Sequence, residues 1–172
     1  MIISVCGDDE NMGQFKVRDI MTTQVVALSP ENTVREATRK LAVENLAGAP
    51  VVDKGNHMVG ILSQNDILGL ILKCGSRLDA AGLSGNDLLS TFMEGNVDPK
   101  LKEMLEELSN TKVEDIMVRN VLTTSPDASI MSLLKSMVTM DVSRVPVVDR
   151  GVLLGIVSRS DIMFSLYKKK MI

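Results

Sequence analysis

A chain of 172 residues with 45% apolar side chains can bury a real core, as one ordinary domain or two small ones, and reads as globular and soluble. A formal charge of −3 gives no general attraction for phosphate backbones, and aromatics at 2% supply no stacking platform, so nucleic acid is not expected as a partner. No apolar run approaches a membrane span, the first residues lack a basic-then-apolar leader, and Cys6, Cys74 and the single His57 are too dispersed for a zinc site; a cytoplasmic protein with reduced thiols and no membrane contact is expected.

Residues 1–16 fall outside any pattern and read as an N-terminal extension. From there the chain repeats itself. Val17-Arg18-Asp19-Ile20-Met21 returns as Val113-Glu114-Asp115-Ile116-Met117, an offset of 115 − 19 = 96, which also carries Ser29-Pro30 to Ser125-Pro126 and Pro50-Val51-Val52-Asp53 to Pro146-Val147-Val148-Asp149. Gly60-Ile61-Leu62-Ser63 returns as Gly155-Ile156-Val157-Ser158, now with 155 − 60 = 95. The dropped residue falls between Lys54-Gly55-Asn56-His57 and Arg150-Gly151-Val152, a turn composition in both copies. The duplication sets the expected organisation: repeat one over 17–74, a helical insert or linker over 75–112, and repeat two over 113–172.

Within the first copy, Gln24 to Ser29 is β-rich and predicts a strand. Thr33 with Glu36 three residues on is a capping box, opening a helix whose inner face is Val34, Ala37, Thr38 and Leu41. The second copy places Ile130, Leu133, Leu134 and Met137 likewise behind Ser129. Ala49 to Val52 and Met58 to Leu62, around a Gly-containing turn, predict a hairpin that recurs as Val145 to Val148 with Leu153 to Val157, and a helix closes each copy. In the insert, Gly75, Gly82, Gly85 and Gly95 break up the chain and Asp87 to Phe92 suits a short helix. Pro99 starts a better one, to Ser109, with Leu101, Met104, Leu105 and Leu108 on a face that either packs on its own module or docks a partner. The fold class is therefore α/β in the α+β sense, two β-α-β-β-α units. Each is too small to stand alone, so the two are expected to pack sheet to sheet about a pseudo-two-fold axis.

The constellation with chemical content is Gly-hydrophobic-hydrophobic-Ser-x-x-Asp, at Gly60 to Asp66 and again at Gly155 to Asp161. One Ser-x-x-Asp is a capping box. Two in register, each behind a glycine that admits close approach and before free helix amides, also suit a ribose phosphate, with the carboxylate accepting from vicinal hydroxyls.

With VxDIM, SP, PVVD and GIxSxxD all duplicated in order, the chain resembles the tandem CBS module, the repeat named after cystathionine β-synthase, over residues 17–73 and 113–167. Such modules form the energy-sensing part of AMP-activated protein kinase and regulatory pieces of IMP dehydrogenase. The resemblance implies an adenine-nucleotide site, with Asp66 and Asp161 as ribose ligands and Ser63 and Ser158 heading their turns. Thr22 matches a polar contact that Val118 replaces in the second copy. Val25, Val121, Ala49, Pro50, Val145 and Pro146 match adenine walls, or are plain core. Arg144 matches a phosphate-binding arginine, where the first copy has Gly48. Arg159 and Arg119, opposite Gln64 and Thr23, either add phosphate-directed charge or are solvated.

One good nucleotide site and one weaker or empty one are thus expected. AMP, ADP or ATP is favoured over S-adenosylmethionine, whose sulfonium gains nothing from Arg144. No P-loop or nucleophile elbow is present, so no catalysis and no catalytic cofactor are expected. The resemblance further implies a homodimer that changes conformation to control a separate, unidentified protein. The competing reading is a structural adaptor whose sites are vestigial.

Overall fold

The computed structural model describes residues 3–5, 16–80 and 99–168. It mixes helix and sheet. In chain order the elements are β1 (Ile3–Val5), a 3-10 turn (Val17–Asp19), α1 (Val34–Val43), β2 (Gly48–Val52), β3 (Met58–Ser63), α2 (Gln64–Ala80), α3 (Pro99–Asn110), α4 (Val113–Ile116), β4 (Leu122–Thr124), α5 (Ile130–Thr139), β5 (Arg144–Asp149), β6 (Val152–Ser158) and α6 (Arg159–Lys168). The helix expected at Asp87 to Phe92, with Gly82, Gly85 and Gly95, lies outside the described residues.

The helix starts follow from their caps. Thr33 Oγ1 accepts from the Glu36 amide at 3.2 Å and Glu36 Oε2 accepts from the Thr33 amide at 2.9 Å, while Ser129 Oγ accepts from the Ser132 amide at 3.1 Å. Behind these caps Val34, Ala37 and Leu41, and in the second copy Ile130, Leu133 and Met137, are buried; Thr38 is exposed. Each helix ends on a left-handed residue, Asn45 at φ 51° and Asp141 at φ 50°. The amides of Leu46 and Val142 then close back onto Leu41 and Met137 carbonyls, at 2.8 and 2.9 Å.

Two expectations are corrected. Gly75 does not end its helix, because α2 runs through it to Ala80; a single helical glycine costs only about 1 kcal/mol. No strand forms over Gln24 to Ser29, where Leu28 makes one parallel bridge to Val51. Its counterpart β4 becomes a strand because it is paired on both sides, to β1 through Ile3↔Leu122, Ser4↔Thr123 and Val5↔Thr124, and to β5 through Thr124↔Val147. The Ile-Ile-Ser-Val start that supplies β1 is too short to read as a strand on its own.

The chain divides into two compact units, one of residues 1–27, 52–60 and 118–172, the other of 28–51 and 61–117. Each takes segments from both sequence copies. In the first unit the sheet runs β1-β4-β5-β6, with β5 and β6 antiparallel, over a core of Val17, Leu122, Ile130, Leu133, Met137, Val145, Val147, Val157 and Ile162. Val17 belongs to this core because its turn docks there: the amides of Val17 and Arg18 donate to the carbonyls of Ala128 and Pro126, both at 3.0 Å. Lys16, at 2.7 Å, and Arg18 both pair with Asp127. The Lys16 hydrogen bond first, then Arg18, holds the Asp127 carboxyl below its ordinary range.

In the second unit the exchange is reciprocal. Val113 and Glu114 amides donate to Asn32 and Pro30 carbonyls at 2.9 and 3.2 Å, and Val113 is fully buried. Each VxDIM turn therefore docks on the Ser-Pro turn of the other copy. Glu36 is likewise held below its ordinary range, chiefly by the Thr33 amide. Helix α3 packs against α1 and α2, with Met104, Leu105 and Leu108 half-buried within this unit; the side chain of Leu101, the fourth residue of the expected stripe, lies outside the described residues.

Candidate functional site

Both Ser-x-x-Asp motifs sit where a strand passes directly into a helix, β3 into α2 and β6 into α6. Asp161 Oδ2 accepts from the Ser158 amide at 2.7 Å and from its hydroxyl at 2.6 Å, while Ser158 Oγ accepts from the Asp161 amide at 3.2 Å. Ser63 and Asp66 repeat the pattern at 2.8, 2.6 and 3.4 Å. The capping role is thus real in both copies and occupies one carboxylate oxygen. Oδ1 of each aspartate accepts no hydrogen bond among the described residues, and both side chains are half-buried.

The register of the first unit decides what accompanies Asp161. Arg144 lies opposite Ser158 and Pro146 opposite Ile156, and residues directly opposite across a pair share a face. Thr22 joins the outer edge of β6: its amide donates to Ile156 O and its carbonyl accepts from Ile156 N, both at 2.9 Å. Thr22, Ile156, Pro146, Arg144 and Ser158 therefore share the face turned away from the core. Gly155 permits this approach, since a Cβ there would lie 2.8 Å from Thr22 O and 3.0 Å from Met21 Sδ. Thr22 and Arg144 are exposed, and neither the Thr22 hydroxyl nor the Arg144 guanidinium has a partner among the described residues.

Alternation places two of the expected wall positions in the core, the second of the two readings they allowed. Val145 is fully buried and shares the opposite face of the sheet with Val147 and Val157 in the core. Ala49, 1% exposed, shares a face of β2 with buried Val51 in the second unit. Both side chains belong to the packing, leaving only their backbone groups for a ligand. Pro146 and Pro50 lie on the other faces of their strands and are also buried; Val121 is buried, and Val25 half-buried, in the first unit.

Arg159 also departs from expectation. Its Nε donates to Val142 O at 3.1 Å, and its Nη2 to Met137 O at 3.3 Å and to Asp141 Oδ1 at 2.9 Å. Its charge is spent on Asp141 and on the Met137 and Val142 carbonyls around the end of α5. In the first copy Gln64 makes one such bond, from Nε2 to Leu46 O at 3.0 Å. Arg119 is exposed.

Three candidate ligands with free polar atoms, Thr22, Arg144 and Asp161, therefore fall in the first unit. The second unit holds Ser63 and Asp66 beside Gly48. A Cβ on Gly48 would lie 2.9 Å from Leu62 O and 3.1 Å from Ser63 Cα, so a cation cannot simply be grafted there. Ile156, between Pro146 and Thr22, was not among the expected site residues; its place inside GIxS was the available signal. A cavity of about 300 Å³ against α1, lined by Glu36, Arg39, Lys40, Val43 and Glu44, contains none of these residues. Among the described residues no cluster of His, Cys, Asp or Glu is grouped to hold a metal, and no helix is long and apolar enough to cross a membrane.

The sequence profile of the CBS domain matches residues 17–73 and 113–168. An uncharacterised protein of Methanocaldococcus jannaschii is 34% identical over 154 residues, which is 87% of this chain and 90% of that one. Three further relatives from that archaeon are longer, and this chain spans 40%, 43% and 45% of them. Among solved structures the fold is similar to CBSX2 in complex with AMP, with a TM-score of 0.67 and 22% identity over 91% of this chain and 99% of that one. It is also similar to the CBS domain pair of protein MJ0100 in complex with 5′-methylthioadenosine and S-adenosyl-L-methionine, with a TM-score of 0.59 and 22% identity over 90% and 98%. With both copies matched, the chain belongs to the CBS domain family and carries two CBS repeats.

Proposed function

We propose that this chain is a regulatory, non-catalytic module that binds AMP, ADP or ATP on the face carrying Thr22, Arg144, Ser158 and Asp161. The observation that carries the reading is the Arg144 guanidinium set across β5 and β6 from Ser158, with no partner among the described residues, next to an Asp161 whose Oδ1 likewise accepts no hydrogen bond from them. In this assignment Asp161 Oδ1 accepts from the ribose hydroxyls, and Thr22 and Arg144 meet the phosphate. Pro146, with Val25, Val121 and Ile156, is the apolar contact for the base. Ser63, Asp66 and Pro50 form a second, weaker site in the other unit, without a cation at Gly48.

Binding acts by favouring one conformation of the module over another, and so controls a separate protein in the cytoplasm in response to energy state. The exposed apolar side chains of Met131 and Val138 on α5 and of Met163, Phe164 and Tyr167 on α6 support a homodimer.

The structure of CBSX2 with AMP supports the ligand class, and that of MJ0100 makes S-adenosylmethionine the second reading. Arg144 separates them. A charge-assisted bond to phosphate is worth roughly 1.5 to 3 kcal/mol, whereas a sulfonium is repelled. Titration calorimetry with AMP, ADP, ATP, adenosine and S-adenosylmethionine tests this. The nucleotides should bind more tightly than adenosine. Tight binding of S-adenosylmethionine with no nucleotide binding at millimolar concentration overturns the preference, and silence from every ligand favours an adaptor with vestigial sites.

A further inference from the structure

We infer that Arg159 is a positioning residue for nucleotide phosphate: it touches no ligand itself but fixes Arg144 relative to the Ser158–Asp161 turn. The inference rests on the nucleotide reading above and deepens it. Arg159 stands between Ser158 and Asp161 in sequence, as the first residue of α6. Its amide donates to Ser143 O at 3.0 Å and its Nε to Val142 O at 3.1 Å, so it grips the two residues that lead directly into Arg144. The same guanidinium reaches Met137 O and Asp141, anchoring that lead-in to the end of α5.

Arg144 begins β5 and has no side-chain partner among the described residues, so the aim of its guanidinium depends on how firmly its backbone is held. Holding the donor in place beforehand removes ordering cost from binding. The first copy supplies the comparison. Gln64 holds the matching turn through its amide to Ala47 O at 2.9 Å and one neutral side-chain bond to Leu46 O, and the position it would serve is Gly48, which carries no cation. The multiple grip occurs in the copy that has an arginine to aim.

The test is a double-mutant cycle in the full chain, using Arg159→Gln, which installs the residue of the first copy, and Arg144→Ala, each titrated with AMP and with adenosine. Arg159→Gln should weaken AMP about tenfold and leave adenosine unchanged, because Arg144 meets only the phosphate. In the Arg144→Ala background the same substitution should then cost nothing further. Equal losses for AMP and adenosine, or additive losses in the double variant, would reduce Arg159 to a structural clamp and overturn the inference. Wild-type protein that binds AMP while Arg159→Gln binds it equally well sinks the inference alone. Wild-type protein that binds no AMP sinks the nucleotide reading, and this inference with it.

Discussion

Arg144 and Asp161 differ in what their removal should do. Arg144 is exposed and has no side-chain partner among the described residues, so Arg144→Ala should leave stability within about 0.5 kcal/mol of wild type while lowering AMP affinity about tenfold or more. Paired thermal melts and calorimetry check both halves; a large loss of stability would mean that the side chain packs rather than binds. Asp161 caps α6 with Oδ2, while its Oδ1 accepts no hydrogen bond among the described residues. The cap was legible in Ser-x-x-Asp, but that it uses one oxygen and leaves the other over was not, because only the third dimension separates the two oxygens. A second residue prediction concerns Thr124, 1% exposed, whose buried hydroxyl has no hydrogen-bond partner among the described residues. An unsatisfied buried hydroxyl costs about 1 to 3 kcal/mol, so the isosteric Thr124→Val should raise the midpoint of thermal unfolding. A lower midpoint would show that the hydroxyl finds a partner in solution.

At the scale of elements, what the sequence made plain was local chemistry. Thr33, Glu36 and Ser129 announced their helices, and the alternating hairpin strands formed as expected, because caps and periodicity act over a few residues. The failures came where a neighbour decides. Leu122–Thr124 is a strand and the equivalent stretch around Leu28 is not, since only the former has a strand on each side. The docked turns carry a pH prediction. Asp127 and Glu36 titrate lower in the folded chain than in the unfolded one, so their ionised forms favour folding. Their contribution is complete above the unfolded carboxylate range and is lost as the pH falls from about 5 through 4 and below. Melting temperature against pH should therefore drop on the acid side, and Asp127→Asn should flatten that drop; a variant as acid-sensitive as wild type would assign the loss to other groups.

For the whole molecule, the duplication was legible and the exchange was not. Nothing local in Val17 to Thr22 says that this segment will join Ala128 and Ile156 rather than its own hairpin. That exchange gathers Thr22 with Arg144 and Asp161 in one unit, so the two copies end up unequal as candidate sites although their motifs match. The apolar side chains on α5 and α6 lead to a further expectation. Sedimentation equilibrium should give a dimer, and Phe164→Glu with Tyr167→Glu should shift it to monomer; a wild-type monomer at high concentration would leave those side chains without the proposed partner. The most direct test of the central claim is an amide NMR titration of the chain with AMP. If nucleotide binds on the face proposed, the first and strongest shifts fall at Thr22, Arg144, Ser158 and Asp161, with Ser63 and Asp66 responding later or not at all. Shifts confined to Ser63 and Asp66, or absent from both places, would contradict it.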